Sequence, residues 1–173
     1  MSTSPFPSRS RPAVAFAAAA LLVAALPAQA ASASWERSQA DGTTSATATN
    51  DAGATLAFHC GDPSVAQENA EVRRGQYMQV GLPATGQPVE PGTREIEIVV
   101  DGQIFLVPIT FAQDGETPTA EWSPSDDWTV SQMKTLVDAM QIGDEIVFDE
   151  NGVNAAFGLE GAEGALEDIF ECD

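Results

Sequence analysis

The sequence predicts a mainly β domain of the α+β class: β-sandwich-like antiparallel sheets with two short helices, one at the C-terminus. Short runs of alternating apolar and polar residues recur along the chain, the period-two pattern of strands with one buried face. Between them stand Asn-Asp-Ala-Gly at 50–53, Asp-Gly at 101–102 and Asn-Gly at 151–152, the turn chemistry of antiparallel hairpins. Two stretches, Thr129 to Gly143 and from about Ala162 onward, instead space their apolar residues as a helix does.

Residues 1–30 are expected to be removed before the domain folds. Arg9 and Arg11 precede an uninterrupted apolar run from Ala13 to Leu26, followed by Pro27 and the small-residue pattern Ala28-Gln29-Ala30. That is the layout of a secretory signal peptide, and its apolar part is shorter than the about 20 residues of a membrane span. Residues 31–173 then form a single exported domain, with no transmembrane segment after signal cleavage, in the periplasm or the medium.

After a frayed start at Ala31 to Ser34, "TSATATN" and "ATLAFHC" pair around Asn50–Gly53. Leu56, Phe58 and Cys60 share one face, and Ala57 and His59 the other. The segment Gly61 to Gln76 has no period and reads as a long loop. "YMQVGL" follows, then a Pro- and Gly-punctuated link and the hairpin "REIEIVVDGQIFLVPITF", in which Asp101-Gly102 supplies positive φ angles. Pro108 removes a ladder donor, which places its strand at an edge or a bulge. "TVSQMKTLVDAMQIG" is a helix with Val130, Met133, Leu136, Val137 and Met140 on one side and Gly143 as its stop. "DEIVFDENGVNAAFGL" is a further hairpin. The last helix turns Ala162, Ala165, Leu166, Ile169 and Cys172 to one face.

The chain has two cysteines, and in an exported protein Cys60 and Cys172 form one disulfide. No C-x-x-C spacing points to redox chemistry. The bridge ties down a terminal helix that would otherwise fray.

Charge and motifs narrow the function. Seven basic residues face 26 acidic ones, a formal charge of −19; removing the leader takes away two of the cations and no anion. Such a surface repels nucleic acid and anionic membranes, and the remaining cations form no basic stripe. His59 is the single histidine, and no G-x-S-x-G elbow accompanies it, so neither a catalytic triad nor a zinc site is expected. "NDAG" and "DENG" lack the full spacing of a calcium loop and are turns. No catalytic residue, metal or cofactor is assigned.

Two segments remain as contact surfaces for a protein or glycan partner. Arg73 and Arg74, on the Gly61–Gln76 loop, are the only local concentration of positive charge. "EWSPSDDW" sets Asp126 and Asp127 between Trp122 and Trp128. Carboxylates beside tryptophans suit a sugar site or glycoside hydrolysis. They better suit a helix start, capped by Ser125 or Asp127, with the tryptophans covering the core edge.

From its middle onward the chain resembles the invasion-associated locus B family of exported bacterial proteins. The similar positions, in order, are Pro91-Gly92, "IVVDG" at 98–102, Val107-Pro108, Ala120-Glu121, a helix closed by Gly143, and "FGLEG" followed by Ala165-Leu166. The resemblance covers about residues 88–166. The family's additional cysteines, one pair after the strand that here reads "VPITFAQDG", are absent, and of the amino-terminal half only Trp35 matches. The similarity implies a β-sandwich-like domain, export and an accessory role at the cell envelope, linked in some relatives to host-cell entry. It brings no catalytic residue and no cofactor.

The sequence therefore predicts a non-catalytic exported accessory protein that binds another macromolecule. The competing functions are a carbohydrate-binding or small glycan-active module and an inhibitor of an extracellular enzyme. Protein recovered from its native compartment is predicted to begin at Ala31; an intact mass that retains any part of residues 1–30 would overturn the cleavage assignment.

Overall fold

The computed structural model describes residues 32–62, 75–81, 90–114, 117–150 and 153–172. The leader, most of the Gly61–Gln76 loop with Arg73 and Arg74, and the Asn151-Gly152 turn lie outside the described residues. The strands are β1 (Ala33–Ala40), β2 (Thr43–Asn50), β3 (Thr55–Gly61), β4 (Gly75–Gly81), β5 (Gly92–Val100), β6 (Gln103–Asp114), β7 (Thr117–Trp122), β8 (Glu145–Glu150) and β9 (Val153–Gly158). Helix α1 (Val130–Ile142) joins β7 to β8, and α2 (Ala162–Leu166) follows β9. The mainly β class with two short helices, one near the C-terminus, is what the sequence predicts.

All nine strands belong to one antiparallel sheet, in the order β1-β2-β3-β4-β7-β6-β5-β8-β9. The register follows from alternation. Ala46 and Ala48 of β2, Leu56 and Phe58 of β3, and Met78 and Val80 of β4 face inward; so do Ile96, Ile98 and Val100 of β5 and Phe105, Val107, Ile109 and Phe111 of β6, all buried. A one-residue slip of any strand would turn its apolar set to water. Burying them at about 25 cal/mol per Å² is the main favourable term of folding.

The sheet curls until β1 and β2 approach β9. Leu159 N donates to Asp144 O at 2.9 Å, continuing the β8–β9 ladder. By antiparallel alternation the carbonyls of Ala156 and Gly158 then face away from β8, along a free edge. Trp35 Nε1 donates to Gly158 O and Asn50 Nδ2 to Ala156 O, both at 2.9 Å. The seam is thus closed by side chains, without a backbone ladder.

The turns obey the residues that make them. Asp101 and Gly102 have φ of 46° and 85°, as a two-residue hairpin requires. The Asp101 carboxylate accepts from Asp144 N at 2.8 Å and Glu145 N at 3.1 Å, which fastens this hairpin to the junction between α1 and β8. Asn50 Oδ1 accepts from Ala52 N and Ala54 N, an Asx turn.

Three expectations are corrected. Pro108 lies in an interior strand, in continuous register opposite Glu95, so the strand is neither an edge strand nor bulged, although at Pro108 itself only one side of it is paired. Its nitrogen points away from β5, and pairing with β7 reaches only to Thr110, so no ladder bond is lost. Helix α1 begins after Thr129, and Ser125 and Asp127 do not cap it: Gln132 Oε1 accepts from Thr129 N at 2.9 Å, half of a capping box. The terminal helix stops at Leu166, so Cys172 is not on its buried face. Asp168 takes a positive φ of 52°, a conformation an α-helix does not continue through. Cys172 is reached through two turns closed by Ile169 N to Leu166 O and Glu171 N to Asp168 O.

The disulfide itself is present. Cys60 and Cys172 have Cα atoms 5.4 Å apart across a separation of 112 residues, and Cys60 is buried. Cys60→Ser and Cys172→Ser variants are each predicted to lose about 2–4 kcal/mol of unfolding free energy. Equilibrium denaturation with and without reductant measures this; an unchanged midpoint would show that the bridge contributes nothing.

Candidate functional site

Both helices lie at one end of the curled sheet. Helix α1 leaves the end of β7 and delivers the chain to the start of β8, while α2 leaves the end of β9 and packs against α1 and β1. The buried face of α1 is Met133, Leu136, Val137 and Met140, spaced three and four apart as a core-facing helix demands. Beyond α2 the chain turns so that Ile169 is buried and Phe170 lies between Phe58 and Trp122, at centroid distances of 6.0 and 6.3 Å. Gln76 Nε2 donates to Phe170 O at 2.9 Å, and Arg37 Nη1 donates to Glu167 O.

This packing leaves a groove of about 490 Å³ between the solvent side of α1 and the segment 163–170. Val137, Leu166, Ile169 and Phe170 give it apolar walls, and Asp138, Glu163, Glu167 and Asp168 line it with carboxylates. Ile142, on the last turn of α1, also lines it and is 90% exposed. Gly164 opens it: a Cβ placed there meets no atom within 4 Å. Lys134 is the one cation among its described lining residues, 3.9 Å from Asp138 on the next turn.

The residues singled out from the sequence are distributed differently. Trp122 is 0% exposed, on the inward face of β7, and offers no surface to a partner; the segment that holds it is a strand paired with both β4 and β6. Trp128 is half-buried against the core. Asp126 and Asp127 are exposed on the bend before α1, where Trp128 N donates to Ser125 Oγ and Ser125 N to Trp128 O, each at 3.1 Å. Only the carboxylates of this cluster are fully at the surface.

On the outer face, register brings Ser45, His59 and Tyr77 into one row across β2, β3 and β4. Ser45 Oγ and His59 Nδ1 are 2.8 Å apart, and the imidazole stacks on Tyr77 with centroids 4.5 Å apart. The row is a set of cross-strand neighbours, which places His59 on a strand face as the alternation predicts. Among the described residues no three His, Cys, Asp or Glu side chains are grouped to hold a metal.

Fold and groove together define a mainly β, disulfide-closed domain with a helical cap over one end. The chain belongs to the YfjT family, whose sequence profile matches residues 33–166. The match opens where β1 begins and closes where α2 ends. The matching profile is thus that of YfjT and not that of the invasion-associated locus B family expected from the sequence. No curated protein and no solved structure matches this chain. No described helix is long and apolar enough to cross a membrane.

The burial pattern separates core from surface in a measurable way. Trp122→Ala is predicted to cost about 3–5 kcal/mol, whereas Asp126→Ala and Asp127→Ala stay within about 0.5 kcal/mol. Denaturant titration distinguishes the two; comparable losses at all three would contradict the burial of the indole.

Proposed function

We propose that the protein is an exported, non-catalytic accessory protein of the cell envelope or the surrounding medium that works by holding another macromolecule. The observation that carries this reading is the groove beside α1. It is concave over a buried apolar floor, with Phe170 half-buried, and Ile142 stands almost wholly in water at a position where an apolar side chain gains from being covered. The signal-like leader and the Cys60–Cys172 bridge support export, because disulfides persist in oxidising compartments. The similarity of the second half to invasion-associated locus B proteins supports the same role and extends it toward contact with host cells.

Photo-crosslinking in cells tests the reading. A photoreactive residue at position 142 of the tagged protein is expected to give a reproducible adduct with one macromolecule, while the same residue at Ala52, exposed in the turn before β3, gives none. Equal labelling at both positions, or none at 142, would remove the groove from consideration. Heterogeneous polysaccharide in the adduct, with quenching of tryptophan fluorescence, would move glycan binding ahead.

A further inference from the structure

The groove's chemistry selects among macromolecules. We infer that it takes a basic, amphipathic segment of a protein partner, one that alternates lysine or arginine with apolar side chains. This rests on the proposed function and names the partner's chemistry.

Two features of the groove fix that chemistry. Val137, Leu166 and Ile169 form a floor that is already dry; the apolar groups a ligand can cover are Ile142, almost wholly in water, and the half-buried Phe170, and apolar cover there gains about 25 cal/mol per Å² on leaving water. Asp138, Glu163, Glu167 and Asp168 line the same space, four acidic residues against two described cations: Lys134, already beside Asp138, and Arg37, whose guanidinium is engaged by the Glu167 carbonyl. The last turn of α1 adds to this field: it has no basic residue, so its carbonyl dipoles stand uncompensated. A ligand with apolar groups alone would leave those carboxylates partly dehydrated and unpaired. A ligand with cations alone would leave Ile142 wet.

Charge decides between possible occupants. A second copy of this chain brings the same excess, 26 acidic residues against seven basic ones, and like charges placed face to face oppose docking. An anionic membrane or a nucleic acid is repelled for the same reason. A cationic protein segment is attracted from a distance and matched on contact. Gly164 leaves room for a side chain to enter, so the incoming segment can seat an apolar residue between α1 and the 163–170 segment.

The test uses the disulfide-intact protein and a synthetic peptide with lysines and leucines at helical spacing. Amide NMR titration is expected to give saturable shifts confined to residues 134–142 and 163–170. Binding should weaken about tenfold or more on Glu163→Lys with Glu167→Lys, and likewise on Gly164→Phe, which fills the open space. It should be little changed by Asp126→Lys with Asp127→Lys. The free variants' spectra report whether each remains folded, which the exposure of Glu163, Gly164 and Glu167 favours. Equal affinity for a peptide with glycines in place of leucines, or equal sensitivity to the 126–127 reversal, would overturn the inference and reduce the effect to diffuse charge. Adducts from position 142 without peptide binding would leave the macromolecule-binding reading standing and remove the basic partner. Peptide binding without adducts would remove the proposed function and keep the groove's selectivity.

Discussion

A curled sheet has open ends, and at one of them this core is sealed by residues 162–172. Phe58 and Trp122 are fully buried in a setting where Phe170 lies against both rings. Phe170 stays there because its carbonyl is bound by Gln76 and because Cys172, two residues on, is bonded to β3. A helix of five residues has no stability of its own in water. Helix α2 therefore persists through what it touches: α1 on one side, β1 and β2 on the other. The inward residues of β2 are Ala46 and Ala48, small enough to let that segment approach closely. The groove is a by-product of this closure, since one of its walls is the sealing segment itself.

Much of this architecture can be read directly from residue order. The β5–β6 hairpin announces itself through "REIEIVV", Asp101-Gly102 and "QIFLVPITF", and α1 through its apolar spacing. Strand β1 is silent because only Ala33, Trp35 and Ala40 in it are apolar. The signal that could have revealed it is Asp41-Gly42, whose φ angles of 50° and 75° make a tight turn into β2. Strand β7 hides for another reason: Thr, Pro and Glu surround Trp122 in "TPTAEW", a composition that also suits the approach to a helix. Pairing with β4 and β6 overrides that local ambiguity. The end of the last helix was illegible because apolar spacing continues through Ile169 while the backbone departs at Asp168.

The groove was beyond sequence reading for a general reason. Its walls come from the exposed side of one helix and from a segment far along the chain, and exposed residues obey no period that marks them as neighbours. Asp138 and Glu163 look like ordinary surface charge until α1 and α2 are set side by side. The tryptophans misdirect in the opposite sense. Their adjacency to Asp126 and Asp127 is real along the chain, yet strand alternation sends Trp122 inward and leaves the carboxylates outside.

The seam between β1–β2 and β9 has a bearing on assembly. An edge strand with free carbonyls is a template for any extended chain that drifts past. In β9 the carbonyls of Ala156 and Gly158 are already taken by Asn50 and Trp35, so a neighbouring molecule finds that stretch of the edge already engaged. The opposite edge, β1, has no further strand beside it among the described residues but carries exposed Glu36 and Arg37, a charged pair of the kind that discourages strand addition. The sheet thus carries its own obstacles to fibre growth, one at each margin.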